Sequence, residues 1–310
     1  MNKIEGRKKL HHYVNVAYLN RWRDATGALH VLAPSTGHTF RKTGDDIGAQ
    51  RQFNDFTFDP VIIDLLHYAF SRRLAEKEGT RDAAEIMLSL IRWAKDADYT
   101  HKEHNFFEDF YALYESDITK TLTEIVSAES LPTRAHADWG LNLLFFYFLQ
   151  LFRVPKAREM IPGDVIWSTP EGDMTLSEQQ KREFTGVHML INALCAACDV
   201  HALGYTVRLK YAVDSGKLIN SDSPAVVTSS GITQLEQLSG WMPLTPRIAM
   251  ELDGIGRGIR AVVSTRMDRN SVERYNVATI RNAREHLFFS SASQLTDVAR
   301  KIVRKSPTRE

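Results

Sequence analysis

Between Pro60 and Leu203, apolar residues recur every three or four positions, the period of helices that bury one face. "PVIIDLLHYAFSRRLAEKEG" (60–79) has a proline at a first helical position and a glycine past its end. "TRDAAEIMLSLIRWAKDA" (80–97) repeats the arrangement, with Thr80 as its N-cap. A third helix is predicted over 103–129, amphipathic through Phe106, Phe110, Leu113, Ile118, Leu122 and Ile125. A fourth runs over 134–153 and stops before Pro155. A fifth spans 176–202, with Thr175 or Ser177 as its cap.

On either side of this body the pattern is that of strands. "ALHVLAPSTGHTFRKT" (28–43) reads as two short strands around a turn, and "QRQFNDFTFDP" as a loop. After Gly204 the chain alternates. "YTVRLKYAV" is a strand, "GKLINSDSPAVVTSSG" is strand, turn, strand, and "MPLTPRIAMELD" and "GIRAVVSTR" are one strand each. "SVERYNVATIRNAREHLFF" and "SQLTDVARKIVRK" read as closing helices. The expected fold class is therefore α+β: about five helices, a β-rich C-terminal segment and a small N-terminal β entry. No Gly/Ser/Pro-rich linker separates these parts. They are read as one intertwined domain, 1–310, built from an N-terminal segment (1–58), a helical body (59–203) and a β-rich segment closed by helices (204–305).

Composition adds limits. Hydrophobic residues make up 43% of the chain and charged residues 25%, which excludes wholesale disorder. The net charge of +1 selects no partner globally. The ends are basic: residues 1–23 carry six Lys/Arg and one Glu, and residues 300–310 carry five and one. Such ends suit a polyanion, or are simply solvated tails. Two cysteines, Cys195 and Cys198, make no disulfide framework, so a cytoplasmic setting is expected. The most apolar run, Leu141 to Phe152, is too short to span a bilayer and is read as a buried helix, with no membrane partner.

Known motifs are scarce. "CAAC" lies within a helix without a second pair, "DGIGRG" reads as a turn, and "HKEH" (101–104) lacks the further ligands a metal needs. A divalent metal has no clear ligand motif, and the cofactor is left open. Three positions hold chemistry in reserve. His12 offers an imidazole, the side chain type suited to act as acid or base without a cofactor. Arg153 ends a nearly all-apolar helix beside Gln150 and needs a carboxylate, a carbonyl cluster or a phosphate. Ser221 and Asp222 occupy a turn between two apolar segments, with Pro224 fixing its exit. Each also has a structural reading as a hydrogen-bonded core group, an ion pair or a turn residue.

Five stretches, taken in order, resemble a known family. "HHYVNVAYLNRW" is similar to the H-Y-V-P-x-F-Y-L-x-x-F start of the family called domain of unknown function 4238. "LQLFRVPKARE" is similar to its Q-x-x-R-x-P segment, "NSDSPAVV" to its S-D-x-P segment, and "MPLTPRIAMEL" to its P-L-[ST]-P strand. "YNVATIRNAREHLFFSS" is similar to its last helix. Asn15 stands where the family has proline, Trp22 where it has phenylalanine, and Thr57 replaces an expected aromatic. The resemblance implies an α+β domain with no agreed activity. Carried across by motif, it marks His12, Tyr13, Gln150, Arg153, Ser221, Asp222, Pro224 and Asn276 as a shared site.

Two functions are expected from this. The first is a nuclease-like enzyme acting on the phosphodiester of RNA or DNA, in microbial defence or as a toxin. His12, Arg153 and Asp222 would be its catalytic groups, and Tyr13, Gln150, Ser221 and Asn276 would bind substrate. The second is a non-catalytic binding or regulatory module in which the same residues form a buried structural network.

Overall fold

The structure is a computed structural model of the chain. It describes residues 10–43, 47–51, 53–57, 59–76, 84–89, 91–92, 106–127, 137–159, 167–169, 172–213, 216–230 and 234–303. The basic tails at 1–9 and 304–310, and the "HKEH" stretch, lie outside the described residues.

The helical periodicity is realised where it is strongest. Helix α1 is the short Val16–Leu19, α2 spans Pro60–Glu76, α3 Phe106–Ser127, and α4 Ala137–Phe152. Residues 84–89 and 91–92 are also helical, on the stretch predicted as a second long helix. The apolar run of α4 is a core helix: Leu143 through Gln150 are all buried. Its polar line faces α3, where the Asn142 amide donates to the Thr121 hydroxyl at 3.0 Å. Helix α5 is the single turn Pro155–Arg158. Helix α6, Glu178–Leu203, opens on Ser177, whose hydroxyl accepts from the Gln180 N–H while the Gln180 side chain accepts from the Ser177 N–H, a reciprocal cap. Among the described residues, α6 is the one helix whose length and composition suffice to cross a bilayer. Phe184, Val187, Leu190, Ile191, Cys195 and Val200 of α6 pack into the protein core.

Among the described residues the strands form four sheets. Strands β2 (Leu29–Ala33) and β3 (His38–Lys42) make the predicted hairpin. Strand β7 (Tyr205–Ala212) is central to a five-stranded sheet with β9 (Val226–Val227), β10 (Gly240–Thr245), β11 (Ile248–Asp253) and β12 (Arg260–Met267), in the order β12-β7-β11-β10-β9. "MPLTPRIAMELD", expected as one strand, is a hairpin turning at Pro246-Arg247. Both arms are buried, so the period-2 pattern that would mark the reversal is hidden under continuous hydrophobicity. "DGIGRG" is the expected turn; it passes over the start of β7, where the Gly204 carbonyl accepts from the Gly256 N–H at 3.1 Å. Gly204 has φ +88°, and a Cβ there would lie 2.7 Å from the Ile259 nitrogen, so only glycine fits.

The second sheet joins the two ends of the chain. Its order is β3-β2-β13-β8, where β13 is Leu287–Phe289 and β8 is Asn220–Ser221. The sequence reading placed Leu287–Phe289 in a helix. In the structure helix α7 covers Arg269–Asn282 and ends there, and residues 287–289 pair with β2. Helix α8, Ala292–Val303, follows and covers this sheet. Two hairpin-like pairs complete the fold: β1 (Leu10–His12) with β4 (Ala49–Arg51), and β5 (Trp167–Thr169) with β6 (Gly172–Met174). The fold is a mixed α+β fold with a small N-terminal sheet, as expected.

Candidate functional site

The opening histidines lie on β1. His11 is fully buried; its Nδ1 accepts from the Asn54 N–H at 2.8 Å and its Nε2 lies 3.7 Å from Asp55. His12 is opposite Ala49 and is partly exposed. The Tyr13 and Val14 N–H groups both donate to the Gly48 carbonyl. Tyr13 is buried, with its ring 5.6 Å from that of Phe53. Burial pushes the Tyr13 hydroxyl's pKa up; the carboxylates of Asp222 and Glu285 add to this and Arg284 opposes it. These charges place the N-terminal segment beside the 222 and 284–285 segments.

Arg153 follows α4 and is buried. Its guanidinium lies over the Tyr111 ring at 3.6 Å, 2.9 Å from Glu115 and 3.5 Å from Glu108. Two carboxylates and an aromatic face thus neutralise a cation that could not be buried alone. Gln150, also buried, has no hydrogen-bond partner for either amide atom among the described residues.

Asp222 anchors a loop. Its carboxylate is buried and accepts three backbone N–H groups: Arg284 at 2.9 Å, Glu285 at 2.7 Å and His286 at 3.1 Å. Burial raises its pKa, against the pull of those three donors. Ligand atoms of Asp222, Glu285 and His286 lie within 4.8 Å of one another. Three amides already occupy most of the Asp222 lone pairs, so this cluster is foremost a loop anchor. Ser221 is buried on β8, and its hydroxyl accepts from the Ser223 N–H. The Asn276 amide is held by backbone at both ends, accepting from Ile219 and donating to Lys217.

The surface above these buried groups is a cleft of about 230 Å³, lined by four arginines from four separate segments. Arg51 comes from β4, Arg158 from α5, Arg182 from α6 and Arg284 from the loop that Asp222 anchors. Arg158 is the innermost. It donates to the Phe53 carbonyl and, at 2.8 Å, to the Asn54 side chain, and lies 3.4 Å over the Phe53 ring. Gly186 of α6 leaves room for it: a Cβ there would lie 3.3 Å from the Arg158 Nη2. Burial pushes the Arg158 pKa down to about 9, and Arg153 beside it acts in the same direction. Arg158 remains charged at neutral pH but holds that charge at a cost which an arriving anion would relieve. Arg51 and Arg182 are exposed and have no ion-pair partner among the described residues. Glu159 lines the cleft and pairs with Arg284 at 2.5 Å; Glu285 lies 3.7 Å from Arg284 at the margin. Four cations against these two carboxylates leave the cleft at net +2.

Of the segments singled out in the sequence, the N-terminal one feels the charges of Asp222 and Glu285 at Tyr13, while Arg153 sits with Glu108, Glu115 and Tyr111. Tyr13 packs on Phe53 and Phe53 on Arg158, Arg153 lies over Tyr111, and the charges of Asp222 and Arg153 act on Tyr13 and Arg158 respectively. Arg153, Asp222, Ser221 and Gln150 are buried; of the four cleft arginines, Arg51, Arg182 and Arg284 face solvent and Arg158 lies deeper. Neither His12 nor Asp222 is among the residues that line the cleft. The arginines were missed because no spacing links them; the one available signal was the "KARE" that follows the Q-x-x-R-x-P stretch.

No curated protein and no solved structure is significantly similar to this chain. A family profile described as "Protein of unknown function (DUF4238)" matches residues 10–293. The chain belongs to that family.

Proposed function

We propose that this protein recognises phosphate groups in its arginine cleft, with the phosphodiester backbone of RNA or DNA as its ligand class. The observation that carries the reading is the convergence of Arg51, Arg158, Arg182 and Arg284 on one concave surface with a single lining carboxylate. Guanidinium forks match phosphate oxygens in pairs, and a concave site concentrates their field. The residues marked by the family motifs then serve to position this cleft. Among the described residues no histidine, serine or cysteine lines it, which favours the binding or regulatory module over chemistry inside the cleft.

A nuclease-like, phosphodiester-processing enzyme is the second reading. It is favoured by the partly exposed His12, next in chain to a tyrosine that senses Arg284, Asp222 and Glu285. On this reading His12 moves the proton and the arginines stabilise charge on phosphate. A cytoplasmic, prokaryotic setting and a defence or toxin role accompany it.

One experiment ranks the two. Pyrophosphate should raise the thermal midpoint of the wild-type protein by a few degrees, because ligand that binds only the folded state stabilises it. Arg182→Glu combined with Arg284→Glu should abolish that rise; an equal rise in the double variant would sink the phosphate reading. Incubation of His12→Ala with labelled oligonucleotide then decides about chemistry. Cleavage by wild type but not by a folded His12→Ala protein establishes the enzyme, and no cleavage by wild type leaves the binding module.

A further inference from the structure

Helix α7 and the edge strand β9 enclose a second hollow, a groove of about 750 Å³. Asn270, Arg274, Val277 and Arg281 line it from the helix, and Val227 lines it from the strand. These four helical positions form one stripe at three- and four-residue spacing. Arg274 and Arg281 are two turns apart, about 10 Å along the axis. Arg281 has no ion-pair or hydrogen-bond partner among the described residues, and the one lining carboxylate, Glu273, pairs with Arg269. Val227 and Val277 are 36% and 44% exposed. Arg274 donates to the Ser271 hydroxyl at 3.1 Å, so the groove has two arginines and the ion-paired Glu273 set in a partly apolar wall.

This groove adjoins the cleft. Asn282, at its end, accepts from the Lys156 ammonium through both its backbone and its side-chain oxygen, at 3.2 and 2.9 Å. Lys156 lies on α5, between Pro155 and Arg158, which line the cleft. Two residues beyond Asn282 the chain reaches Arg284, also in the cleft. Arg274, Arg281, Lys156, Arg284 and Arg158 therefore follow one another across a shared margin.

We infer that the groove is the continuation of the phosphate cleft, and that the ligand is a single strand of nucleic acid several nucleotides long rather than a mononucleotide. This rests on the reading of the cleft as a phosphate site. Successive phosphates meet the spaced arginines, while sugars and base edges lie against the exposed valines. No aromatic residue lines the groove among the described residues, so the affinity is assigned to the backbone rather than to stacking of bases. Recognition is accordingly indifferent to base sequence.

The test measures binding of a 5′-phosphorylated dinucleotide and of single strands of about twelve nucleotides, in DNA and in RNA, by fluorescence anisotropy. The longer strands should bind more tightly. Arg274→Ala combined with Arg281→Ala should weaken the long strands roughly tenfold and flatten their log K against log salt by about 1.4, two phosphate contacts at ~0.7 each. Dinucleotide binding and the thermal midpoint should not change in this variant. Arg182→Glu with Arg284→Glu should weaken both ligands. If the long strand binds no better than the dinucleotide, or ignores the α7 pair while still responding to the cleft pair, the extension is refuted and the cleft reading stands. If neither length binds, both fall. Equal displacement by polyglutamate of matched charge would also overturn it, in favour of an acidic peptide.

Discussion

Asp222 and Arg153 show what two charged side chains do when they are kept out of water. The Asp222 carboxylate binds three consecutive amides and so fixes the backbone from which Arg284 projects. Replacing it by alanine leaves three partly buried N–H groups without their acceptor, at about 2–4 kcal/mol after the relief of burying a charge. Asp222→Ala should therefore lower stability by that amount in urea unfolding, and should also weaken pyrophosphate binding, because the loop of Arg284 loses its anchor. Unchanged stability would mean that the anchor is dispensable. Arg153→Ala strands Glu108 and Glu115 together beside Tyr111 and should cost about 3–5 kcal/mol. Both residues were visible in the sequence as groups that demand partners. Their partners were not visible, because Glu115 and the 284–286 amides are brought to them only by tertiary packing.

At the level of elements, the positions that depart from the family pattern have local compensation. Asn15, where the family has proline, is the N-cap of α1, and its side-chain oxygen accepts from the Tyr18 N–H at 2.6 Å. Its φ of −56° is one that proline also adopts. Asn15→Ala should cost about 1 kcal/mol as a lost cap, and Asn15→Pro should cost less, since a stiffer unfolded chain offsets part of that loss. Paired thermal melts check the order, and a proline variant less stable than the alanine variant would contradict it. Trp22 fills the core edge-on to Tyr18 at 5.0 Å. Thr57 donates its N–H and hydroxyl to the buried carboxylate of Glu183 on α6; a phenylalanine would keep the N–H but lose the hydroxyl donor. The long helices were legible because their period repeats over four or more turns. Strand β13 was not: three apolar residues after a helix carry no period of their own, and their strand character comes from pairing with β2, far away in sequence.

In the whole molecule, that pairing determines what the cleft can report. Strand β2 lies near one end of the chain and β13 near the other, and hydrogen bonds between them hold Arg284's segment against the N-terminal third. The α+β class could be read from the order of patterns, but the cleft could not, since its arginines are scattered from residue 51 to residue 284 with only topology to gather them. A ligand that bridges these segments must stabilise them together. Pyrophosphate should thus slow amide hydrogen exchange at 48–54 and at 283–286 in the same titration, with the same midpoint, while leaving the distant turn at 254–258 unaffected. Protection confined to one of the two segments would show that phosphate binds a single arginine at the surface, and the four-sided cleft would lose its claim to be a site. Protection of both, with one midpoint, would tie two segments more than 200 residues apart in the chain to a single binding event.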